Sequence, residues 1–433
     1  MSSFPRVALF LSAVSGLALS PACTQEDRGA ESTFYDRKIA PILQGSCVAS
    51  PAQSSCHTTA DDRGNALGNL NMVSYETLSK RTDLLIDYGP YGVPGLLLKA
   101  VPDFEIRLTS WDSEALTITT DIAHVGGSLL DFTSVSYTQL DRWIENGAAK
   151  NNAQPKALEP VLTSCSSTLG LDPLFDANAD PPSPDFQQFS SQVNTVLTTS
   201  CAAGNCHGNP SNSLYLTCGG SPEEVRWNYF AASDYISVDA NASEIIRRVL
   251  SPSQGGTYHE GGAVFPSAED PGYKALLSWA QAKGGPTNVP TNPGFEFFAK
   301  RVQPMLVKRG CMMLGCHSSS IFHDYRLRGG SGGHFGLPAT RRNYELSVEQ
   351  ISLESPDPAA SRLLKKNLAP TARGMLHRGG SLFAAGDVAQ CDLTAAETGP
   401  LDDQSPFCVI VAWIEKERAE RMAGAQPLTG IVY

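Results

Sequence analysis

Six of the eight histidines in the 433-residue chain fall into two sets of three that differ in their neighbours. Three directly follow a cysteine (His57, His207 and His317), and three open a His-x-Gly-Gly sequence (His124, His259 and His377). The two sets alternate along the chain. A cysteine next to a histidine is typical of c-type haem attachment, because the thiol bonds to the porphyrin while the imidazole binds the iron. The alternation therefore predicts three haems, each held on both faces by imidazole.

Each Cys-His pair is preceded by a second cysteine at a spacing wider than the common Cys-x-x-Cys-His. Four residues separate the two thiols in the second and third motifs, and eight separate them in the first. We expect three covalently attached haems c, bound through Cys47, Cys56, Cys201, Cys206, Cys311 and Cys316. A single thioether through Cys56 is the alternative for the first motif. Zinc is the main alternative metal, but a zinc ribbon needs two close ligand pairs.

The second ligand of each iron is expected to be the histidine of His-x-Gly-Gly, which follows the Cys-His pair by 52 to 67 residues. Methionine is the rival ligand, yet the second repeat contains none between Phe186 and Pro286. The paired glycines are expected to let the backbone pass close to a flat ring. His323 and His334 have no counterparts elsewhere and are expected to be polar surface or loop residues.

The same landmarks recur three times around these residues, which indicates three diverged copies of one unit. An aromatic-led amphipathic segment leads into the cysteines, an apolar and basic segment precedes each His-x-Gly-Gly, and a closing helix follows it. That closing helix carries an aromatic, an aliphatic and a tryptophan at steps of three: Tyr137, Leu140 and Trp143; Tyr273, Leu276 and Trp279; Phe407, Ile410 and Trp413. The tryptophans are expected in the core. Ser136 is the expected N-cap of the first closing helix, and Gly147 and Gly284 are expected helix stops.

Of the eleven cysteines, four lie neither in the motifs nor near the N-terminus. An exported chain keeps such cysteines oxidised. We expect Cys391 to pair with Cys408, in an insertion of the third repeat, and Cys165 to pair with Cys218.

The N-terminus predicts export. Residues 1–22 combine one positive charge, an apolar run and small residues, as a secretory signal peptide does. Cys23 stands where a lipoprotein carries its lipid, with 23–33 as a polar tether, although plain cleavage after Ala22 is the alternative. No later stretch has the roughly 18 apolar residues of a transmembrane helix. A net charge of −11 argues against nucleic acid as a partner and leaves redox proteins and a membrane contact through the Cys23 anchor.

The repeats resemble the planctomycete-type cytochrome c domain. The closing motif is matched by Arg-Trp-Ile-Glu-Asn-Gly-Ala at 142–148, and the opening motif by Phe34 to Leu43. The family usually has Met-Pro-Pro where this chain has His-x-Gly-Gly. The resemblance spans Phe34 to Glu420 and implies a mostly α fold of three tandem cytochrome c-like domains with long irregular loops. The domains are expected at 34–150, 186–285 and 295–420, joined by linkers at 151–185 and 286–294.

These features together predict an exported tri-haem c-type cytochrome that carries electrons between redox partner proteins in the periplasm or at the outer membrane. Two imidazoles leave no open iron position for a substrate, so an electron carrier is favoured over an enzyme. One alternative is a haem peroxidase-like oxidoreductase with a five-coordinate iron, and another is a disulfide-rich surface lipoprotein without haem. The first and second repeats are expected to pack against each other, with the third following through the short linker.

Overall fold

The computed structural model describes residues 32–48, 57–58, 70–85, 89–101, 103–110, 115–124, 126–151, 163–165, 185–209, 212, 214–237, 239–257, 259, 261–282, 292–313, 316–317, 325–330, 332–383, 386 and 388–424. The expected signal peptide, the Cys23 anchor, Cys56, His323 and Gly284 lie outside these residues. Within them the chain is mostly helical, as expected, with one small sheet. No helix in these ranges is long and apolar enough to cross a membrane.

The α-helices of the described part are α1 (Ala40–Leu43), α2 (Tyr75–Leu78), α3 (Thr82–Leu85), α4 (Gly95–Ala100), α5 (Val135–Glu145), α6 (Asp185–Gln188), α7 (Asn194–Ser200), α8 (Pro222–Ser233), α9 (Glu244–Arg247), α10 (Pro271–Gln281), α11 (Pro293–Phe297), α12 (Gln303–Lys308), α13 (Leu337–Val348), α14 (Arg362–Lys365), α15 (Leu393–Thr398) and α16 (Pro406–Met422). Short 3₁₀ turns cover Gly89–Tyr91, Ala240–Ala242, Pro252–Gln254, Pro358–Ala360, Pro370–Ala372, Val388–Gln390 and Leu401–Asp403.

The opening helix of every repeat contains a π-helical turn that begins at its leading aromatic residue. These turns are Tyr35–Ile39, Phe189–Val193 and Phe298–Val302, and a further one, Gln44–Val48, follows α1. Such turns are rare and occur often at functional sites. Their recurrence at equivalent positions supports the division of the chain into repeats one, two and three, each named here by its Cys-His motif.

An aromatic cluster holds the opening and closing helices of each repeat together. Ring centroids of the opening aromatic and the closing tryptophan lie 5.8 Å apart for Tyr35 and Trp143, 4.9 Å for Phe189 and Trp279, and 5.3 Å for Phe298 and Trp413. Aromatic pairs at these distances add about 1 kcal/mol to the free energy gained by burying their area. All three tryptophans are at most 2 % exposed, so their expected place in the core is confirmed.

The first closing helix begins two residues earlier than expected. Ser134, not Ser136, is the N-cap of α5, because its side-chain oxygen accepts a hydrogen bond from the Tyr137 amide at 3.1 Å. Gly147 ends this helix as expected: its φ of +85° lies in the left-handed region that glycine adopts without strain.

The sheet joins repeat one to repeat three, which the sequence did not predict. Strand β1 (Glu105–Ser110) pairs antiparallel with β2 (Ala115–Thr119), with Ile106 opposite Ile118. Its other edge pairs in parallel with the short strand β3 (His334–Phe335) of repeat three. Ile106, Leu108 and Ile118 are buried in one hydrophobic core with residues of repeat three.

Further contacts make the same connection. Tyr91 donates its hydroxyl hydrogen to the Val307 carbonyl at 3.1 Å, and the Asp121 amide donates to the Lys308 carbonyl at 2.9 Å. The shared sheet and core thus join repeats one and three, a contact that the sequence did not predict, whereas the expected packing of repeat one against repeat two stays a prediction. Repeat two has a core of its own, and it meets repeat three where Arg328 pairs with the buried Asp234 at 2.9 Å.

Both expected disulfides are confirmed. Cys391 is bonded to Cys408, and Cys165 to Cys218. The second bond fixes the described part of the first linker, 163–165, onto repeat two, where Thr163 and Asn205 also exchange hydrogen bonds.

Candidate metal centres

The fold brings each histidine of a Cys-His pair next to the histidine of the following His-x-Gly-Gly. The ring centroids of His57 and His124 lie 6.2 Å apart with the ring planes 4° from parallel. In repeat two the separation is 5.9 Å and the angle 3°, between His207 and His259. In repeat three, His317 and His377 lie 6.0 Å apart at 23°. Three pairs of histidines that are 52 to 67 positions apart in the sequence thus lie at nearly the same ring separation.

This separation is too large for direct contact between the rings. It equals the distance expected for two imidazoles that bind one ion from opposite sides. Atoms of flat rings in face-to-face contact would lie only about 3.5–4 Å apart. A metal–imidazole bond of about 2 Å on each side of one ion puts the coordinating nitrogens about 4 Å apart and the ring centres about 6 Å apart. Each pair can therefore hold one metal ion between its two rings.

Hydrogen bonds select which ring nitrogen is left with a free lone pair. In five of the six histidines the Nδ1 atom donates to a backbone carbonyl. The pairs are His124 to Gly127 (2.9 Å), His207 to Leu214 (2.9 Å), His259 to Gly262 (3.0 Å), His317 to Tyr325 (3.0 Å) and His377 to Gly380 (3.1 Å). A carbonyl oxygen only accepts, so the proton must be on Nδ1 and the lone pair is left on Nε2. This is how proteins orient metal-binding histidines.

The two glycines of His-x-Gly-Gly build the turn that presents the distal ring. The second glycine has a φ of +68°, +80° or +83° in the three repeats, its amide donates to the carbonyl of the histidine, and its own carbonyl accepts from Nδ1. A Cβ on the first glycine would lie 3.0–3.1 Å from the Cε1 atom of the same histidine. The second glycine is therefore favoured by its left-handed backbone and the first by the close approach of the histidine ring, reasons different from the expected close passage of a flat ring.

The proximal histidines, those of the Cys-His pairs, are fixed through the segments that follow them. The backbone carbonyls of His57, His207 and His317 accept from the amides of Met72, Leu216 and Leu327 at 2.9, 2.7 and 2.6 Å. In repeats two and three the amides of His207 and His317 also donate to the carbonyls of Cys201 and Cys311. The loop between the cysteines is thereby closed onto its histidine in spite of its wide spacing.

Two fully buried asparagines, which the sequence did not single out, secure these segments. Asn343 accepts from the Arg328 amide at 2.7 Å and donates to Gln303 Oε1 at 2.9 Å and to the Arg328 carbonyl at 3.0 Å. Asn228 makes the same set of bonds in repeat two, to Thr217 and Asn194. A tyrosine follows each asparagine and packs on the opening aromatic: Tyr229 on Phe189 at 5.3 Å and Tyr344 on Phe298 at 5.7 Å. The repeated Asn-Tyr was a visible signal for both.

The described cysteines of the motifs take part in neither of the two disulfides. Burial raises the pKa of the Cys201 and Cys311 thiols to about 12, with a further rise from the neighbouring Cys206 and Cys316. Zinc binds the thiolate, whereas a thioether carries no charge. The surroundings of these two sulfurs therefore favour an uncharged form.

Burial also affects the histidines of repeat two. Burial and then the neighbouring His259 lower the pKa of His207 to about 4, and burial lowers the pKa of His259. Both rings are therefore neutral at pH 7, the form that binds a metal.

The rival candidates are placed differently. Met72 is 3 % exposed within the core of repeat one, and Met375 is exposed two residues before His377. His334 lies in strand β3 and is half buried, with Nδ1 3.0 Å from Thr109 Oγ1, so it is a sheet residue and not the expected loop or surface histidine.

Across the described ranges no group of three or more His, Cys, Asp or Glu side chains could hold a metal ion. Each centre thus offers two imidazoles from these ranges. A tetrahedral zinc site requires four ligands, while a haem iron receives four nitrogens from the porphyrin and takes two axial ligands from the protein.

Comparisons of the chain with protein-family models, with curated proteins and with solved structures find no match. The resemblance to planctomycete-type cytochrome c domains rests on the motifs at 34–43 and 142–148, and on the repeats.

Proposed function

We propose that the protein is an exported tri-haem c-type cytochrome that carries electrons between redox partner proteins. The observation that supports this most strongly is the threefold recurrence of two imidazoles about 6 Å apart, one of which adjoins a cysteine. A disulfide-rich lipoprotein without haem gives no reason for that spacing or for its repetition.

Bound haem supplies one-electron chemistry between Fe(III) and Fe(II). The chain's own residues would hold it: Cys47, Cys56, Cys201, Cys206, Cys311 and Cys316 as thioethers, and the six paired histidines as axial ligands. With two imidazoles holding each haem, these residues would leave no place for a substrate at the iron, which favours a carrier over a peroxidase. Imidazole in place of a methionine thioether keeps the reduction potential low. The Nδ1 bonds to backbone carbonyls increase the basicity of the imidazoles in the same direction.

The packing of the repeats suggests an order for the centres. Asp121 and Ile122, two or three residues before His124, contact repeat three at Lys308 and Gly310, just before Cys311. A Cβ on Gly310 would lie 3.3 Å from Ile122 Cγ2. At about 3.5 Å of chain per residue, the backbones of His124 and Cys311 lie within about 15 Å of each other. We therefore expect electrons to pass directly between centres one and three.

The sequence supports a place of action and a class of partner. The expected signal peptide and the Cys23 lipid site favour the periplasm or the outer membrane, with membrane contact through the anchor. The net charge of −11 favours partners with a basic docking face and disfavours nucleic acid.

The decisive experiment is to produce the full chain together with cytochrome c maturation machinery and to measure the mass of the denatured protein by mass spectrometry. Three covalent haems and a low-spin spectrum without the band of methionine ligation are expected. The double variant Cys201→Ser/Cys206→Ser should lose one haem, whereas the matched variant Cys165→Ser/Cys218→Ser, which removes a disulfide, should keep three. A colourless wild-type protein would rule out the proposal.

The order of the centres has its own test. Loss of the first haem through Cys47→Ser/Cys56→Ser should shift the reduction potential of centre three more than that of centre two. A larger shift at centre two would contradict the order.

A further inference from the structure

A cation stands at one equivalent position in every repeat, directly beside the distal histidine loop. The residues are Lys99 near the end of α4, Arg248 after α9 and Lys366 after α14. Main-chain hydrogen bonds define their equivalence. The carbonyl of the residue after each cation accepts from the amide six positions beyond the distal histidine: Leu130 to Ala100, Phe265 to Val249 and Phe383 to Asn367, at 3.3, 3.0 and 2.8 Å.

In two repeats the cation donates to the backbone carbonyl of the equivalent residue. Lys99 Nζ donates to the Ala123 carbonyl at 2.8 Å, and Lys366 Nζ donates to the Leu376 carbonyl at 3.0 Å. Ala123 and Leu376 are the residues directly before His124 and His377. The cation therefore fastens the loop immediately beside the distal ring.

In repeat two the cation at this position is Arg248, whose place is fixed by the hydrogen bond from the Phe265 amide to the Val249 carbonyl at 3.0 Å. Arg248 is paired with Glu244 at 3.5 Å, and both side chains are 18 % exposed.

A basic residue at the end of a helix has an ordinary explanation, which is attraction to the partial negative charge of the last carbonyls. Lys365 and Arg362 satisfy that condition on α14 as well. It does not explain why the one side chain at the shared position bonds across to the carbonyl before the distal histidine in both repeats one and three.

We propose that Lys99, Arg248 and Lys366 are one repeated positioning residue, which holds the distal histidine loop in place and raises the reduction potential of the neighbouring iron. The second half rests on the proposed function. A positive charge near the iron disfavours Fe(III) relative to Fe(II), because the oxidised centre carries one more positive charge. The cation would thus offset part of the lowering that two imidazole ligands cause.

The test uses Lys366→Gln in the full haem-loaded chain, with Arg362→Gln as the matched control. Arg362 is exposed at the start of α14, four residues before Lys366. Its replacement removes the same charge but leaves the hydrogen bond from Lys366 to the Leu376 carbonyl in place. In a spectroelectrochemical titration, one of the three potentials should fall in Lys366→Gln while the other two stay unchanged. Lys366→Arg should restore it. An unchanged potential, or an equal fall in Arg362→Gln, would overturn the electrostatic role.

Hydrogen exchange tests the fastening role separately and needs no haem. The amides of Met375 and Phe383, which donate to the carbonyls of Lys365 and Asn367, should exchange about fivefold to tenfold faster in Lys366→Gln, as loss of a bond of about 1 kcal/mol implies. Unchanged exchange would refute the fastening role. If the wild-type protein carries no covalent haem, the proposed function fails, and this measurement still decides whether the cation holds the loop.

Discussion

Replacement of Asn343 by alanine should destabilise repeat three more than almost any other single polar substitution. Its side chain is 0 % exposed and makes three hydrogen bonds, to the amide and carbonyl of Arg328 and to Gln303. Each such bond contributes about 1 kcal/mol, and each buried partner left without a bond adds a desolvation cost of about 1–3 kcal/mol. Gln303 is itself only 3 % exposed, so water cannot easily replace the lost amide.

We therefore expect Asn343→Ala to lower the free energy of unfolding by about 3–5 kcal/mol. The assay is urea denaturation followed by the fluorescence of the buried tryptophans. Asn241→Ala is the matched control, because Asn241 is exposed in a 3₁₀ turn and its loss should change the free energy by less than about 0.5 kcal/mol.

The same substitution should reach the metal centre. Arg328 directly follows Leu327, whose amide donates to the His317 carbonyl, and Tyr325 accepts from His317 Nδ1. Release of Arg328 should loosen the ring, which would appear as a broadened low-spin signal from one haem in three. A loss of under 1 kcal/mol in Asn343→Ala would refute the argument that the buried amide holds the proximal segment.

Three further predictions concern the distal ligand, the inserted loop and a buried carboxyl group. With three haems held as proposed, His259→Ala would remove one of six axial imidazoles, so one third of the haem should become high-spin in the absorption spectrum, and an unchanged spectrum would show that His259 is not a ligand. Cys391→Ala/Cys408→Ala opens a loop of 17 residues and should lower the free energy of unfolding by about 3 kcal/mol in urea, and a loss below about 1 kcal/mol would contradict the entropic argument. Burial raises the pKa of Glu345 to about 7, against the pull of Arg341. The folded state therefore binds the proton more tightly than the unfolded chain does, and stability from this group is present below pH 4.5 and is lost as the pH rises to about 7. Glu345→Gln should remove this part of the pH dependence, about 3 kcal/mol, and an identical pH profile in both proteins would exclude it.

Much of the local structure could be predicted from the sequence because it depends on periodic burial. Apolar residues at steps of three and four indicated the opening and closing helices, and the recurring tryptophans are buried as expected. The two disulfides followed from the export signal and from the number of cysteines outside the motifs. The pairing of each Cys-His with the next His-x-Gly-Gly was inferred from alternation alone, and the structure places those rings side by side.

The sheet was missed although its strands alternate in polarity, as in Glu-Ile-Arg-Leu-Thr at 105–109. That pattern can indicate a strand, but it does not say which edge it will pair with. Here β1 pairs with two residues of β3 that lie more than 200 positions later. No local signal marks so distant a partner, and for that reason the contact between repeats one and three was not predicted.

The sequence by itself determined which residues could bind a metal, how often the unit repeats and which cysteines form disulfides, because those properties depend on residue type and short spacing. Tertiary structure alone decided the rest: the 6 Å gap between imidazoles, the selection of Nε2 by carbonyl oxygens, the buried asparagines and the union of repeats one and three. These features depend on where backbone carbonyls and buried surfaces meet after the chain has folded. Every residue has a carbonyl, so its position cannot be read from residue type.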